Sequence, residues 1–457
     1  MKDKKIAVCL KYYKGELNPF DGAALECALE SGAREIVAIA MSPKSVLPAF
    51  QSITRLGVKC VLISDPLYAG SDTQATSLVL SETIKRINPD FIFCGRQSVD
   101  GDTGQVPVMV AQRLGFAVKS KVMGIDGEFV TLRNGERFIP EPKTVLTFEK
   151  IKTLRFPSIF SKLGEVEIWN NAILQLPKEA CGLSGSPTRV IKSYQSSVGR
   201  RDCQFTALEN LPKLIEQGLQ KSRIEKENKT CEQLEKVYFV GNIQSVAEKI
   251  AKQAIALQTT GKTAETLAEE LKANGVKTVL WEDSEELKIL ASQTAVLTGA
   301  GLCADCISFR SENGKLIMTR PALGGDVTAD ILCESEMAFA TVRTARSDCA
   351  ELIFSVGKGA MDYIDEIKTL AQQYNAELCC SRAVADSGKL AYEKQVGLTG
   401  RTVCPKVYVA FGISGAVQHT CAIAGANTVI AVNNDKDARI FDYADFGIVT
   451  EVKNVKL

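Results

Sequence analysis

The chain has 457 residues, 45% of them hydrophobic and 24% charged, with a formal net charge of +1 at pH 7. That length predicts two or three domains with sizeable cores, and the even charge balance implies neither nucleic acid nor a membrane surface as a partner. The first apolar run is too short for a signal peptide and no apolar stretch reaches spanning length, so the expectation is no membrane insertion and a cytoplasmic protein. The 15 cysteines are scattered through apolar runs and read as reduced core residues, not as a disulfide framework. Cys303 and Cys306 lack a second pair at zinc spacing and have no nearby histidine, and Cys379-Cys380 reads as packing.

From the N-terminus, strand and helix alternate. KKIAVCLKYY reads as a strand, DGAALECALESG as a helix closed by glycine, and REIVAIAMS as the next strand; helices are predicted over 43–56 and 72–87, and strands at VKCVLIS and DFIFCG. Repeated units of this kind predict a parallel sheet covered on both faces, with ligands beyond the strand C-termini. Four loops fall there: residues 18–21, the turn near Met41, residues 70–76, and GRQSVDGDTGQV over 95–106. The last follows a strand and opens a helix, so its glycines, hydroxyls and amides suit a phosphate, although a threonine-capped polar loop has the same pattern.

Residues 195–236 are rich in charge, Pro212 interrupts their one apolar patch, and they read as a polar linker with room for a short helix. VYFVG then opens a second α/β stretch, with long helical patterns at SVAEKIAKQAIALQ and TAETLAEELKANG and a strand at KTVLWED. An internal repeat is visible. AQRLGFAVKSKV, from Ala111, and TAVLTGAGLCADCISF, from Thr294, each lead into a polar turn (DGE, ENG) and another strand.

His419, the only histidine, ends GISGAVQH, between the strand pattern VYVAF and the small apolar run TCAIAGA, which reads as the start of a helix. Gly412 and Gly415 let the backbone approach a ligand closely, and the N–H groups of a following helix favour an anion or a carbonyl. A single histidine is, on its own, more often a packing residue than a ligand. Around it stand SRAVADSG, QVGLTG, AVNND and YADFGIV. In this order and spacing the five motifs closely resemble the C-terminal FAD domain of the electron transfer flavoprotein α subunit. The resemblance implies an FAD site formed by Lys358, Ser381, Arg382, Gln395, Val396, Gly397, Leu398, Thr399, Ser414, Gly415, Ala416, Val417, Gln418, His419, Asn433, Asp435 and Asp445. It puts Arg382 over the isoalloxazine, Thr399 near N5 and His419 near the pyrimidine carbonyl, where a donor stabilises the negative charge of reduced flavin. Lys358 stands where the family has arginine in a GGRG-like turn, keeping the charge for the pyrophosphate without the planar fork.

The earlier set NPFD, GSDTQATS and GRQSVDGDTGQV, with RFPSI and GLSGSPTRVIKSY after it, is similar to the β subunit of the same family as far as Tyr194. That likeness implies a second site made by Cys9, Asn18, Asp21, Met41, Asp72, Thr73, Thr76, Gly95, Gln97, Asp100, Gly101, Asp102, Thr103, Gly104, Gln105 and Val106. It would hold AMP or a second FAD, the latter in members with the DGDT form of the loop, and Ile151 falls on the family's exposed anchor for a dehydrogenase. RPALGGD resembles an α-subunit element. Departures are the short YYKGEL before Asn18, a shortened stretch before Glu282, and TARSD in place of a proline-glycine.

The expected architecture is α/β: two related parallel-sheet nucleotide-binding domains plus a C-terminal doubly wound FAD-binding domain. The expected boundaries are a β-subunit-like part over 1–194, a linker over 195–236, a shortened α-subunit-like part over 237–350 and the FAD domain over 351–457, fused in one chain. No Ser-His-Asp order, carboxylate pair or P-loop is present, so no catalytic residue and no metal is expected. The implied function is that of an electron carrier, taking electrons from a flavin dehydrogenase of acyl-CoA dehydrogenase type and passing them to a downstream acceptor. The alternatives are an electron-bifurcating oxidoreductase using NADH at a second FAD, and a nucleotide-binding protein with a vestigial site.

Overall fold

The computed structural model describes residues 1–195, 199–221, 233–325, 327–343 and 350–455. They group into two compact units, one of Met1–Ser193, Cys231–Leu323 and Ala329–Val342, the other of Tyr194–Thr230, Gly324–Thr328 and Arg343–Leu457.

Besides a smaller four-stranded sheet of Thr188–Gln195, Val327–Cys333, Lys315–Ala322 and Ser308–Glu312, the first unit contains two larger sheets. In the N-terminal one, β1 (Lys5–Leu10), β2 (Glu35–Met41), β3 (Lys59–Ile63), β4 (Phe91–Gly95), β5 (Ala117–Asp126), β6 (Phe129–Leu132), β7 (Thr144–Phe148) and β8 (Val166–Trp169), with the short strand Arg137–Phe138, lie in the order β8-β3-β2-β1-β4-β7-β5-β6 and then Arg137–Phe138. From β8 to β5 the neighbours are parallel, and the edge beyond β5 is antiparallel. Parallel strands covered on both faces must be apolar on both. Accordingly Ile6, Val8 and Phe93 pack on one side while Ala7, Ile39 and Ile92 pack on the other. The helices between them include α1 (Pro19–Glu30), α2 (Thr73–Ile87) and α3 (Val106–Leu114). The helix expected over 43–56 forms as a short α-helix, Leu47–Gln51, flanked by 3₁₀ turns.

The second sheet repeats the first. Strands β9 (Leu234–Val240), β10 (Ala251–Ala256), β11 (Thr278–Glu282), β12 (Gly301–Cys306) and, after the antiparallel hairpin of β13 (Ser308–Glu312) and β14 (Lys315–Ala322), β15 (Ala338–Val342) run in the order β10-β9-β11-β15-β12, all parallel. This is the arrangement β2-β1-β4-β7-β5 over again. Even an irregularity is repeated: the pairing slips between Leu146 and Phe148 and between Cys303 and Cys306. At the two slips Lys121 and Asp305 have φ of 62° and 55°, and their N–H groups donate to Thr147 Oγ1 and Thr341 Oγ1 at 3.2 and 2.8 Å. A matched bulge is a designed feature, and it ties the two halves more closely than the faint sequence repeat does. One expectation fails here. The long helical pattern SVAEKIAKQAIALQ breaks after Gln244–Ile250, because its second half gains a full parallel ladder with β9 and so becomes β10; tertiary pairing overrides local propensity.

The second unit is a six-stranded parallel sheet of β16 (Leu352–Val356), β17 (Glu377–Cys380), β18 (Val407–Phe411), β19 (Thr428–Asn433), β20 (Phe446–Val449) and the two-residue strand Gln204–Phe205. Their order, β17-β16-β18-β19-β20 and then Gln204–Phe205, reverses direction between β16 and β18. The expected polar linker is only partly one. Within it Gln204–Phe205 extends this sheet, and helix Leu211–Gln220 buries Leu211 and Ile215 completely against the cluster of Leu352, Val407 and Ile448; residues 222–232 of that stretch lie outside the described residues. Among the described residues no helix is long and apolar enough to cross a membrane.

Removing the methylenes of Ile215 should leave a cavity under this helix. Ile215→Ala is expected to destabilise the protein by about 2–5 kcal/mol in urea unfolding; a true surface linker would show almost no change.

Candidate functional site

The C-terminal edge of the first sheet opens into a cavity of about 910 Å³. It is lined by every N-terminal site residue expected from the sequence except Asp100 and Asp102. Local geometry explains the convergence. Asp21, in the first turn of α1, is buried and accepts the Lys11 N–H at 2.7 Å with one carboxylate oxygen and the Gly95 N–H at 2.9 Å with the other, strapping the ends of β1 and β4 together. Gly95 is obligatory, since a Cβ there would overlap Asp21 and Phe20. Burial pushes the Asp21 carboxyl up to about 7, against the opposing hydrogen bonds from Lys11, Asn18 and Gly95.

The roles divide. Asp72 caps α2 by accepting the Ala75 N–H at 3.0 Å, and its other oxygen accepts the Thr188 hydroxyl and N–H at 2.7 and 3.0 Å. Asp102, at φ 51°, is buried and accepts from Gln97 Nε2 at 3.0 Å, while Asp100 pairs with Lys11 Nζ at 2.8 Å. These three carboxylates were expected to touch a nucleotide. In this structure each is held by partners within the loops; Asp72 also lies in the cavity wall, whereas Asp100 and Asp102 do not. Ligand-facing capacity lies elsewhere: both amide atoms of Gln105 and Oδ1 of Asn18 are buried without hydrogen-bond partners, and Thr73, Thr76, Thr103 and Gly104 share the wall. Buried polar atoms left unpaired are costly, so these await a polar ligand, and the lining fits a nucleotide. Lys11 and Lys44 supply positive charge there. The sequence reading missed both, although a lysine ending the first strand was a visible signal.

In the second unit the motifs meet at the C-terminal edge of the sheet. Lys358, exposed, follows β16; Ser381 and Arg382 follow β17; residues 412–419 follow β18; Asn433 and Asp435 follow β19. Ligands in such sheets sit where the strand order reverses, here between the ends of β16 and β18. Backbones pass so closely at that point that a Cβ at Gly357 would overlap the Gly412 carbonyl, and Gly412 itself has φ 60°. Arg382 bonds Asp386 at 3.2 Å, and Gln395, buried, donates to Thr399 Oγ1 at 2.8 Å. Beyond them Val396, Gly397 and Leu398 form a loop whose Leu398 N–H reaches the Gln418 carbonyl at 2.6 Å. Along 414–419, Ser414, Ala416 and Gln418 are exposed while Gly415, Val417 and His419 are buried. The helix expected after His419 begins earlier and is one turn long, Val417–Thr420.

Asn433 donates to the Ile413 carbonyl at 2.8 Å and accepts the Asp435 N–H at 3.0 Å, bracing the glycine turn. Asp445 is a correction. It precedes β20, at the opposite edge of the sheet, and its carboxylate is taken by the Val429 N–H at 2.7 Å and by Arg201, so it anchors the 201–205 segment and lies away from the ligand edge. His419 is buried, with Nε2 2.8 Å from the Tyr408 hydroxyl and Nδ1 without a hydrogen-bond partner. That orphaned nitrogen and the glycine cradle fit a cofactor with acceptor groups. Burial lowers the His419 pKa to about 4, opposed by the Val396 backbone, so the ring is neutral near pH 7.

Fold and site define an α/β protein whose candidate ligand-binding loops gather at the strand C-termini in each unit. A family model described as electron transfer flavoprotein domain matches residues 7–135 and again 247–366, together more than half of the chain, and one described as electron transfer flavoprotein FAD-binding domain matches residues 348–424. The chain belongs to the electron transfer flavoprotein family. It is 32% identical to the electron transfer flavoprotein subunit alpha of Thermoanaerobacterium thermosaccharolyticum, over 43% of this chain and 74% of the relative. It is 33% identical to Protein FixB of Clostridium saccharobutylicum, over 36% and 64% of the two chains, and 35% identical to the acryloyl-CoA reductase electron transfer subunit beta of Anaerotignum propionicum, over 34% and 56%.

A histidine buried in its neutral form binds its proton less readily folded than unfolded. Stability from His419 is therefore complete above pH 6.5 and is lost as the pH falls toward 4, by up to ~3 kcal/mol. His419→Gln should flatten that part of the stability profile in urea unfolding at successive pH values; parallel profiles would place the imidazole in water.

Proposed function

We propose that the chain is a single-polypeptide electron transfer flavoprotein, a β-subunit-like part over 1–194 joined to an α-subunit-like part that ends in the FAD domain over 351–457. It carries electrons from a flavin dehydrogenase to a downstream acceptor. The observation that carries this reading is the gathering of Lys358, Arg382, Thr399, Ser414 and His419 at the reversal point of the C-terminal sheet, inside the stretch matched by the FAD-binding model. The double match of the electron transfer flavoprotein domain, on two sheets of identical strand order, supports the fusion. The acryloyl-CoA reductase relative supports a dehydrogenase of acyl-CoA type.

FAD, when bound, supplies the capacity to take up and release electrons singly or in pairs. The protein's part is to hold and tune it. Lys358 is placed for the pyrophosphate, Arg382 and Thr399 for the ring system, and His419, neutral, for a carbonyl of the pyrimidine. For the N-terminal cavity we favour a second FAD over AMP: about 910 Å³ is near the top of the roughly 300–1,000 Å³ range of small-molecule sites, and the Gln105 and Asn18 amides await hydrogen bonds along its wall. A second FAD there is what the bifurcating alternative requires. A cavity so completely formed weighs against the vestigial one.

The docking residue needs revision. Ile151 is half-buried against the first core, whereas Phe156, Ile159 and Phe160 are 94%, 85% and 86% exposed. The segment is pinned on both sides of Phe156, by Arg155 on Glu26 at 2.6 Å and by Arg55 on the Ser158 carbonyl at 3.0 Å. Three large apolar side chains held in water mark a binding surface, and we assign the dehydrogenase to them. Phe156→Ala combined with Phe160→Ser should slow electron transfer from the dehydrogenase at least tenfold in stopped-flow assays while leaving flavin content unchanged. An unaltered rate would remove this segment from the docking surface.

A further inference from the structure

His419 and Tyr408 form a closed pair whose direction can be read. Tyr408 is the second residue of β18, in register with Ile353 on one side and Val429 on the other, and all three are fully buried. Its hydroxyl is 2.8 Å from His419 Nε2, with the rings 6.0 Å apart and inclined at 56°. Such a bond has two possible directions: the phenol donates to a bare Nε2, or a protonated Nε2 donates to the phenol oxygen. In the second case the phenol proton needs another acceptor inside the core. The neighbouring Ser355 hydroxyl is not that acceptor, because it is buried and makes no hydrogen bond. Burial drives the phenol's pKa well up, and the proton stays on oxygen. The first direction leaves no buried proton unplaced, and a stranded one is costly.

A neutral imidazole that accepts at Nε2 must carry its proton at Nδ1. Nδ1 is the buried nitrogen without a hydrogen-bond partner, and the Val396 backbone acts on this ring to favour a proton. Val396 opens the loop that runs through Gly397 and Leu398 to Thr399.

We propose that Tyr408 is a positioning residue: its phenol donates to His419 Nε2 and fixes the neutral Nδ1–H tautomer, so that the ring presents a donor, not an acceptor, to the 396–399 loop and to a ligand carbonyl held there. The tautomer stands on this unit's geometry alone; its use toward a flavin rests on the FAD reading above. Without Tyr408 the ring would be free to take the Nε2–H form, which turns a lone pair instead of a proton toward the ligand.

Because His419 is the only histidine, long-range ¹H–¹⁵N correlation spectra of protein labelled with ¹⁵N-histidine contain one imidazole and need no assignment. The expected result, from pH 6 to pH 8, is a protonated Nδ1 and a bare Nε2. Tyr408→Phe, which keeps the ring and removes the hydroxyl, should shift the pattern toward Nε2–H. In the flavin-loaded protein it should also lower the first one-electron equilibrium about tenfold, ~59 mV, with flavin content unchanged. A parent spectrum showing Nε2–H overturns the proposal whether or not the variant folds, as does a variant with the parent's tautomer. A shifted tautomer with an unchanged potential overturns the cofactor half. If the domain holds no FAD, the FAD reading fails and the tautomer still decides the role of Tyr408.

Discussion

Parallel strands buried on both faces leave a protein one place to do chemistry, the edge where the strands end in loops, and the whole chain obeys this constraint. In the first unit the buried carboxylate of Asp21 ties two strand ends together through the Lys11 and Gly95 N–H groups. In the second, the glycine backbones at Gly357 and Gly412 meet without room for a Cβ. Each device spends a residue capable of chemistry, or a position that admits only glycine, on holding loops at a fixed separation. In each unit some buried polar atoms keep spare hydrogen-bonding capacity: those of Gln105 and Asn18 in the first, His419 Nδ1 in the second.

This separation of holding from binding also marks the limit of what the sequence reveals. The strand and helix alternation of the first 115 residues is legible because apolar runs and glycine or asparagine stops coincide there, as at Asn88 and Gly115. The motif loops are legible as well, since a glycine-rich turn after a strand can lie only at the C-terminal edge. A carboxylate's assignment to ligand or to backbone is not legible. Asp72, Asp102 and Asp445 have the composition of site residues, yet each is taken up by neighbours, Asp445 at the far edge of its sheet. Residues 251–256 were equally opaque, because AKQAIA satisfies a helical pattern until a neighbouring strand offers it a ladder. Exposure of Phe156 and Phe160 is likewise invisible in a sequence where phenylalanine usually means core.

The internal repeat connects fold with function. Two sheets of the same order, with the same slip and the same threonine-bound bulge, place equivalent loops at equivalent edges. Yet the cavity is built from the first copy alone, with walls from β1 to β4 and the loop before α3. In the second copy the corresponding edge holds Asp283 and Asp305, both paired with Lys288. Desolvation and the nearby Asp305 push Asp283 up to about 7. At that edge of the second copy the charged side chains thus pair with one another.

The central claim is that this chain holds flavin at both the C-terminal sheet and the N-terminal cavity. Acid release of bound cofactors from purified protein, followed by chromatographic quantitation against protein concentration, tests it most directly. The account predicts two FAD and no AMP per chain. One FAD with one AMP would contradict the assignment of the N-terminal cavity, and the absence of FAD would contradict the account as a whole.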